Sequence, residues 1–598
     1  MTSTTESHDR PMQIVHDIRK LMQPAGDPRK GLAALKAQGI GGIVTNIPFD
    51  NYMEGAEAWR TLREFLRACK AMDMRVWIYD EKGYPSGYAG GLVLAGRPDL
   101  EAVGLYRNPE TGEIAPGKSY EGTHSCNNYC VKARTPNLLD PNAVAEFVRV
   151  THDRYAKELG ADLEIVEAFF TDEPALNVLY MPRIPEASDC PVIDPPDETR
   201  PLYPGVPWSA DLAARFGKRD LSGLFVDLPG AGQLRREFYE AVGEQLADTY
   251  FGGLRRWCAA HGRQSSGHLL WEEVVSGHTP LYGNFLRCMM EFTIPGIDVL
   301  SAEPLTSYRS NRLAAAFATS AAMLGGQRRV FTESSDHSQR IQQHRLASVD
   351  EVRATLAWQA ALGVTEFTMY FAHGACPEIE SNQAWGADCG SRTPGEYAQI
   401  NDDISALVAR LAPARLLPDV FLYYPVELLQ AAYYPTLRPY APGGCAPEVS
   451  RIAQAFTAAV HGLLDVGIVP CVIDGGLLRE LRAADGDAAR DGRYAVRQAR
   501  ANAVVYPAGC EPPADCIPGV DCQFAEMSED LPLWLFENGV TRLFNDNANI
   551  CAALMGTEDG SQVTMVNLTD RTQAVHVRTQ SGSVDVTLDA YRWGVTPV

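Results

Sequence analysis

The sequence predicts an α/β protein: a (β/α)8 TIM barrel, then a flavodoxin-like α/β domain, then a small C-terminal antiparallel β domain. Three observations carry that expectation. Over the first four hundred residues, short β-branched or aromatic runs alternate with longer segments of helical period. That alternation is the mark of a parallel sheet with crossover helices. Eight such units fit a barrel with long insertions. After LAPARLLP (411–418) the pattern changes to a shorter α/β stretch and then to alternating strands with turn residues between them.

The strand candidates follow in order. MQIVHDI gives the first (13–18), and it is the weakest. GGIVTNI (41–47) follows the helical GLAALKAQ, and RVWIYD (75–80) follows the helical AWRTLREFLRACKAM. EAFFTDEP (167–174) is fourth. RQSSGHLL (263–270) is fifth, after a long helical segment from 234 to 262. GIDVLSAE (296–303), RRVFTES (328–334) and VTEFTMYF (364–371) complete the set. Two insertions follow strand ends, at about 92–142 and 182–208. Beyond the barrel, VFLYYP, VGIVPCVID and ANAVVYP read as strands around a helix at 449–464. SQVTMVNLT, AVHVRT and SVDVTLD read as short antiparallel strands. The boundaries expected are 1–417, 418–535 and 536–598.

Composition narrows the function. A formal net charge of -22 repels phosphate backbones and anionic lipids. Nucleic-acid and membrane partners are therefore not expected, whereas neutral substrates, or cations, stay open. The first residues, MTSTTESHDRPM, lack a basic start and an apolar core, so no secretory signal is read there. No apolar stretch approaches the roughly 18 residues of a membrane span. The scattered cysteines fit reduced core thiols and a cytoplasmic location. Cys126 and Cys130 form an isolated C-x3-C with no second pair at zinc spacing.

Barrel strands are buried on both faces, and their C-terminal ends open onto the site. Here those ends supply His16 and Asp17, Asn46, Asp80 and Glu81, Asp172 and Glu173, His268, Glu303, Glu333, and Tyr370 with His373. Cleavage of a glycosidic bond needs two carboxyl groups flanking it: one protonates the leaving oxygen, the other attacks the sugar carbon or activates water. Glu173 after strand four and Glu333 after strand seven come from opposite sides of the mouth and are the candidate catalytic pair. Asp172 could instead cap a following helix, with Pro174 in its first turn. Glu333 could instead be a buried acid paired with Arg328 or Arg329, although those arginines begin the strand and lie at the far end.

Asn46, Asp80, Glu81, Asp172, His268, Glu303 and Tyr370 are candidate substrate contacts. GHLLWEE (267–273) adds Glu272 and Glu273, for which a solvated helix start is the plain alternative. TESSDHS adds His337. Trp208 and Trp271, in loops after strands, are the better aromatic platforms; Trp77, inside strand three, reads as core. Two other readings stay open: a sugar-binding protein on a degenerate barrel, and a metal-dependent enzyme using Asp80, Glu81, Asp172, His268 and Glu303. No nucleotide-binding signature appears, because the glycine-rich GGLVLAG (90–96) does not follow a strand.

YDEKGYPSGYAGG (79–91) is the most distinctive stretch of the chain. It resembles the motif after the third strand in glycoside hydrolase family 106, the α-L-rhamnosidases. GIGGIV (39–44), FFTDEP, GHLLWEE, IPGID (294–298), FTES (331–334) and WQAALGV (358–364) follow in the same order. T-D-E-P is also similar to the N-E-P segment of clan A glycosidases. The domain order looks like that of family 42 β-galactosidases, which often trimerise through the middle domain, so a homo-oligomer is implied. Carried over, Glu173 is the general acid and Glu333 the nucleophile or base. The resemblance implies a small glycoside or oligosaccharide as substrate, and calcium as a cofactor. Family 106 members are usually longer, carry further β-sandwich domains and invert at the anomeric carbon, whereas clan A enzymes retain. The segment before strand two is abbreviated here. The stereochemical outcome stays open on sequence alone.

Overall fold

The computed structural model describes the chain except residues 1–6, 17, 23–26, 49, 120–134, 177–202, 204, 372–388, 437–443 and 485–491. Asp17, Cys126, Cys130, His373 and most of the second insertion therefore lie outside the described residues. Eight parallel strands close into a barrel. They are β1 (Met12–Val15), β2 (Gly42–Thr45), β3 (Arg75–Tyr79), β4 (Val166–Asp172), β5 (Gln264–His268), β6 (Ile294–Val299), β7 (Phe331–Ser334) and β8 (Glu366–Met369). Each strand pairs with its successor, and β1 closes on β8 with Met12 opposite Thr368. All eight fall inside or against the runs read from the sequence. The sixth differs most: it starts earlier and stops at Val299, well short of Glu303.

Pleating sorts each strand into an inner and an outer set, because successive side chains point to opposite faces. Met12, Ile14, Val44, Trp77, Tyr79, Ala168, Phe170, Ile294 and Phe331 fill the barrel interior as one cluster. The intervening residues, such as Ile43, Val76, Ile78, Phe169 and Ile297, join the larger core between barrel and helices. The helices present matching apolar stripes: in Ala56–Ala71, Trp59, Leu62, Phe65, Leu66 and Cys69 are buried at spacings of three and four. One close approach depends on glycine. A Cβ at Gly267 would lie 2.2 Å from the Thr171 carbonyl oxygen, so β5 can lie this close to β4 only without one.

The barrel floor is tied by charge. Arg75 donates to Glu167 (2.9 Å) and Glu366 (2.6 Å), and Arg329 donates to the same two carboxylates (2.6 Å each). Trp77 Nε1 adds a hydrogen bond to Glu167 (2.9 Å). Burial alone would raise the Glu167 pKa; the two arginines outweigh it and bring it down to about 2. Arg329 is thus committed to the floor and does not pair with Glu333.

The two insertions share structure. Val103–Arg107 pairs antiparallel with both Ile114–Lys118 and Gly205–Trp208, so one small sheet spans both. After the barrel, β9 (Val420–Tyr423), β10 (Pro470–Ile473), β11 (Ala503–Tyr506) and β12 (Phe524–Glu526) form a parallel sheet in the order β10-β9-β11-β12. The long helix Pro304–Gly325 lies between barrel and sheet: its Ser320 Oγ accepts the Val472 N–H (2.7 Å) and its Arg312 pairs with Asp465 (2.5 Å). Antiparallel sheets end the chain, built on the hairpins Ile550–Thr557/Gly560–Asn567 and Gln573–Thr579/Gly582–Leu588. The short strand Arg415–Leu416 is an edge of that last region, although it stands in the barrel segment of the sequence. Among the described residues no helix is long and apolar enough to cross a membrane.

Removing Arg75 leaves the buried Glu366 and the half-buried Glu167 short of a partner. Arg75→Ala should cost about 3–5 kcal/mol of stability, read as a lower midpoint in urea denaturation.

Candidate active site

The inward layer above Phe170 and Phe331 carries the chemistry. Parity with Ala168 and Phe170 turns Asp172 inward; parity with Phe331 does the same for Glu333, and parity with Ile294 for Asp298. Register places Asp172 beside His268 and Asp298 beside Glu333. His268 Nε2 lies 3.3 Å from Glu333 Oε2 and 3.4 Å from Asp172 Oδ1. Asp172 Oδ2 accepts the Tyr79 hydroxyl (2.6 Å).

Glu173 has outward parity, yet one of its carboxylate oxygens lies within 4.8 Å of both His268 and Asp298. The cause is local. Glu173 adopts a left-handed backbone (φ 49°), and its N–H donates to the His268 carbonyl (3.3 Å). Non-glycine residues take this conformation rarely, and it costs on the order of 1 kcal/mol or more. Trp271 does the same (φ 56°) in the loop after β5. Two strained residues thus stand at the mouth of the barrel. Asp172 caps no helix among the described residues. Earlier in the same strand Phe169 packs outward on His152 and Trp257, whereas Phe170 faces the site.

Burial and neighbouring charge perturb this layer. Burial pushes Asp172 up to about 7, and the charges of Glu333 and Glu173 push the same way. Burial with the charges of Glu333 and Glu173 raises Asp298 well above the carboxylate range. For His268, burial would lower the pKa, but the hydrogen bond to Glu333 and the charges of Asp172 and Asp298 raise it well above its ordinary value. Glu273 is solvent-accessible and yet crowded by protein, as on the wall of a recess. Its carboxyl is pushed up by that crowding and by Glu173. Half-buried Tyr370 stands between the rings of His16 (6.2 Å) and His337 (6.1 Å).

Several candidates read from the sequence do other work. Glu81 is fully buried, and its carboxylate accepts the backbone N–H groups of Lys82, Gly87, Tyr88, Ala89 and Gly90 (2.5–3.2 Å). It knots the YDEKGYPSGYAGG loop. Asn46 Nδ2 donates to the Glu81 carbonyl (2.7 Å) and so braces the same knot. Asp80 has outward parity and accepts from Ser86 Oγ (2.7 Å). Ser86 in turn exchanges hydrogen bonds with the Asp172 backbone (2.7 and 2.9 Å). Glu272, also buried, accepts the N–H groups of Leu269 (3.2 Å) and Asp298 (3.1 Å), tying β5 to β6. Glu303 caps the helix Pro304–Gly325 by accepting the Thr306 N–H (2.8 Å). Trp208 is buried in the insertion sheet against Phe238 and is no sugar platform. His337 is buried, and burial pushes its pKa down to about 3, so it stays neutral.

Two site residues escaped the sequence reading. Tyr79 lies inside the third strand run, and Asp298 lies within a sixth run that extends in sequence to Glu303. The signal for Asp298 was available: it stands four residues after an inward isoleucine in IPGID. The five residues proposed as metal ligands do not gather, since Asp80, Glu81 and Glu303 lie elsewhere. The acidic groups that do gather, Asp172 with Glu333 and Glu173 with Asp298, each meet at His268. Calcium takes six to eight oxygen ligands. A donor set centred on an imidazole, with one Asp172 oxygen already held by Tyr79, does not fit it.

Burial holds four carboxyls unusually high: Asp172, Glu81 and Glu427 at about 7 and Glu272 at about 8. An acid whose folded pKa is raised binds its proton more tightly in the native state. Their contribution to stability therefore falls as pH climbs from about 4 toward those values. Below about pH 6.5 the buried neutral histidines His152, His278, His337 and His461, held down to about 3–4, give the opposite slope. Calorimetry should therefore show the unfolding temperature dropping between about pH 6.5 and 8.5; a rise over that interval would contradict the assignment. Glu81→Ala leaves five backbone donors without their acceptor. It should cost about 3 kcal/mol or more and open the 82–90 loop to proteolysis.

No family model and no curated protein matches the sequence. Solved structures do match in fold. A rhamnosidase from Novosphingobium sp. PP1Y aligns over 99% of this chain and 82% of its own, at 11% identity and a TM-score of 0.58. A polyextremophilic β-galactosidase from the Antarctic haloarchaeon Halorubrum lacusprofundi aligns over 98% and 99%, at 11% identity and 0.55. A catalytic mutant of a GH42 β-galactosidase from G. stearothermophilus aligns over 98% of each chain, at 9% identity and 0.57. At these identities the likeness is one of fold: the chain has the TIM-barrel architecture of these glycosidases.

Proposed function

We propose that this protein hydrolyses the glycosidic bond of a small glycoside or oligosaccharide, with Glu173 as proton donor and Glu333 as nucleophile or general base. The observation that carries the reading is that Glu173 and Glu333, far apart in sequence, each come close to the same imidazole at the C-terminal end of the barrel. Glu173 delivers its proton to the glycosidic oxygen as the bond breaks. Glu333 either attacks the sugar carbon or takes a proton from the water that does. Asp298 stands beside Glu333 in the inward layer and offers a polar contact to the sugar. Tyr370 and Trp271 offer ring faces, and Glu273 an accessible carboxyl.

The motif order of family 106 favours an α-L-rhamnoside as the first substrate, and the domain order favours a β-galactoside as the second. We assign the chain to a cytoplasmic setting, which its described cysteines, all free thiols, support. We divide it at about 417 and 535 into barrel, α/β and β domains.

Purified protein should release nitrophenol from one of a panel of nitrophenyl glycosides that includes α-L-rhamnoside and β-D-galactoside. Glu173→Gln and Glu333→Gln should each lower kcat about 100- to 10,000-fold without lowering the unfolding temperature. Glu173→Gln should keep more activity on substrates whose leaving group needs no proton. Binding of glycosides without any sugar release would identify a lectin-like barrel instead.

A further inference from the structure

We propose that His268 is the built-in cation of this site, an imidazolium that neutralises the converging acids and holds Glu333 in place where a divalent ion would otherwise be needed. Its Nε2 contacts two carboxylates at nearly equal distance, Glu333 at 3.3 Å and Asp172 at 3.4 Å. Asp298 and Glu173 complete a second acidic pair around the same ring. Among the described residues no lysine or arginine forms an ion pair with Asp172, Asp298 or Glu333. Four carboxyl groups in one small volume need positive charge or protons, and among the described residues the ring is the cationic side chain paired with Asp172 and Glu333.

The ring is also fixed. It is 1% exposed, lies parallel to Phe331 with centroids 6.5 Å apart, and is flanked by Phe170 at 5.4 Å. Gly267 lets β5 approach β4 closely enough to set it there. Among the described residues the titratable groups that act on it are acids: Asp172 and Glu173 at the end of β4, Glu272 after β5, Asp298 from β6 and Glu333 from β7, with the Tyr79 phenol reaching it through Asp172. His268 is a positioning residue: its Nε2 holds the Glu333 carboxylate at 3.3 Å and takes no proton from substrate. The part played by Glu333 rests on the hydrolase reading above; the charge of His268 does not.

The decisive measurement is on the full chain labelled with ring-15N histidine. The His268 signals, identified by their loss in His268→Gln, should show both ring nitrogens protonated at pH 8. A neutral ring at pH 7 overturns the proposal. Should His268→Gln fail to fold, Asp298→Asn keeps the ring and identifies the same signals by lowering their titration point. Metal analysis of the purified protein should find no bound divalent ion; one ion per chain, lost together with activity in chelator and restored by that ion, overturns the proposal. In kinetics, His268→Gln should move the acid limb of the kcat/KM profile up by about 1–3 pH units. His268→Gln with Asp298→Asn should move it part of the way back. An unmoved limb overturns the positioning of Glu333. If the wild-type protein cleaves no glycoside, the hydrolase reading fails, while the nitrogen signals still decide the charge of His268.

Discussion

Pleating is the constraint from which the rest follows. A closed barrel of short strands has room inside for only every second side chain, and those side chains stack in layers. In this chain the lower layer is aromatic and aliphatic, with Trp77, Phe170 and Phe331. The layer above it is acidic, with one imidazole. Nothing but backbone alternation and strand register is needed to bring Asp172, His268, Asp298 and Glu333 together. The aromatic floor beneath keeps water away from one side of the acids, and their perturbed ionisation is the direct result.

Glu173 is the exception that the alternation cannot place. It reaches the layer by leaving regular geometry, through one left-handed residue directly after the strand. That turn is held by the rest of the mouth. Ser86 binds the backbone of Asp172, and Glu81 collects the amides that bring Ser86 there. Asn46 braces Glu81 from β2. A chain of hydrogen bonds thus runs from the second strand, through the loop after the third, to the end of the fourth. The residues in it touch no substrate in this account, yet they fix where the proposed proton donor stands.

The barrel was legible because two signals agreed at each strand: β-branched or aromatic runs, and helical period between them. His268, Asp172 and Glu333 were legible because polar residues closing such runs fall at the open end of a barrel. Glu303 misled because the run GIDVLSAE gives no sharp stop, although Pro304 marks a helix start at the next residue. Glu81 and Asn46 misled for a different reason. A carboxylate that serves five backbone amides depends on how an irregular loop folds, and no periodicity encodes that. Trp208 looked like a loop residue because the strand around it pairs with another insertion a hundred residues away, a contact that local pattern does not report.

The shared insertion sheet has a consequence for how such a site can change. Val103–Arg107 belongs to the excursion after β3 and Gly205–Trp208 to the excursion after β4, and they are zipped edge to edge. Neither excursion can be shortened, exchanged or redesigned alone without exposing an unpaired edge on the other. Any remodelling of what the barrel admits on that flank must therefore treat the two as a single graft.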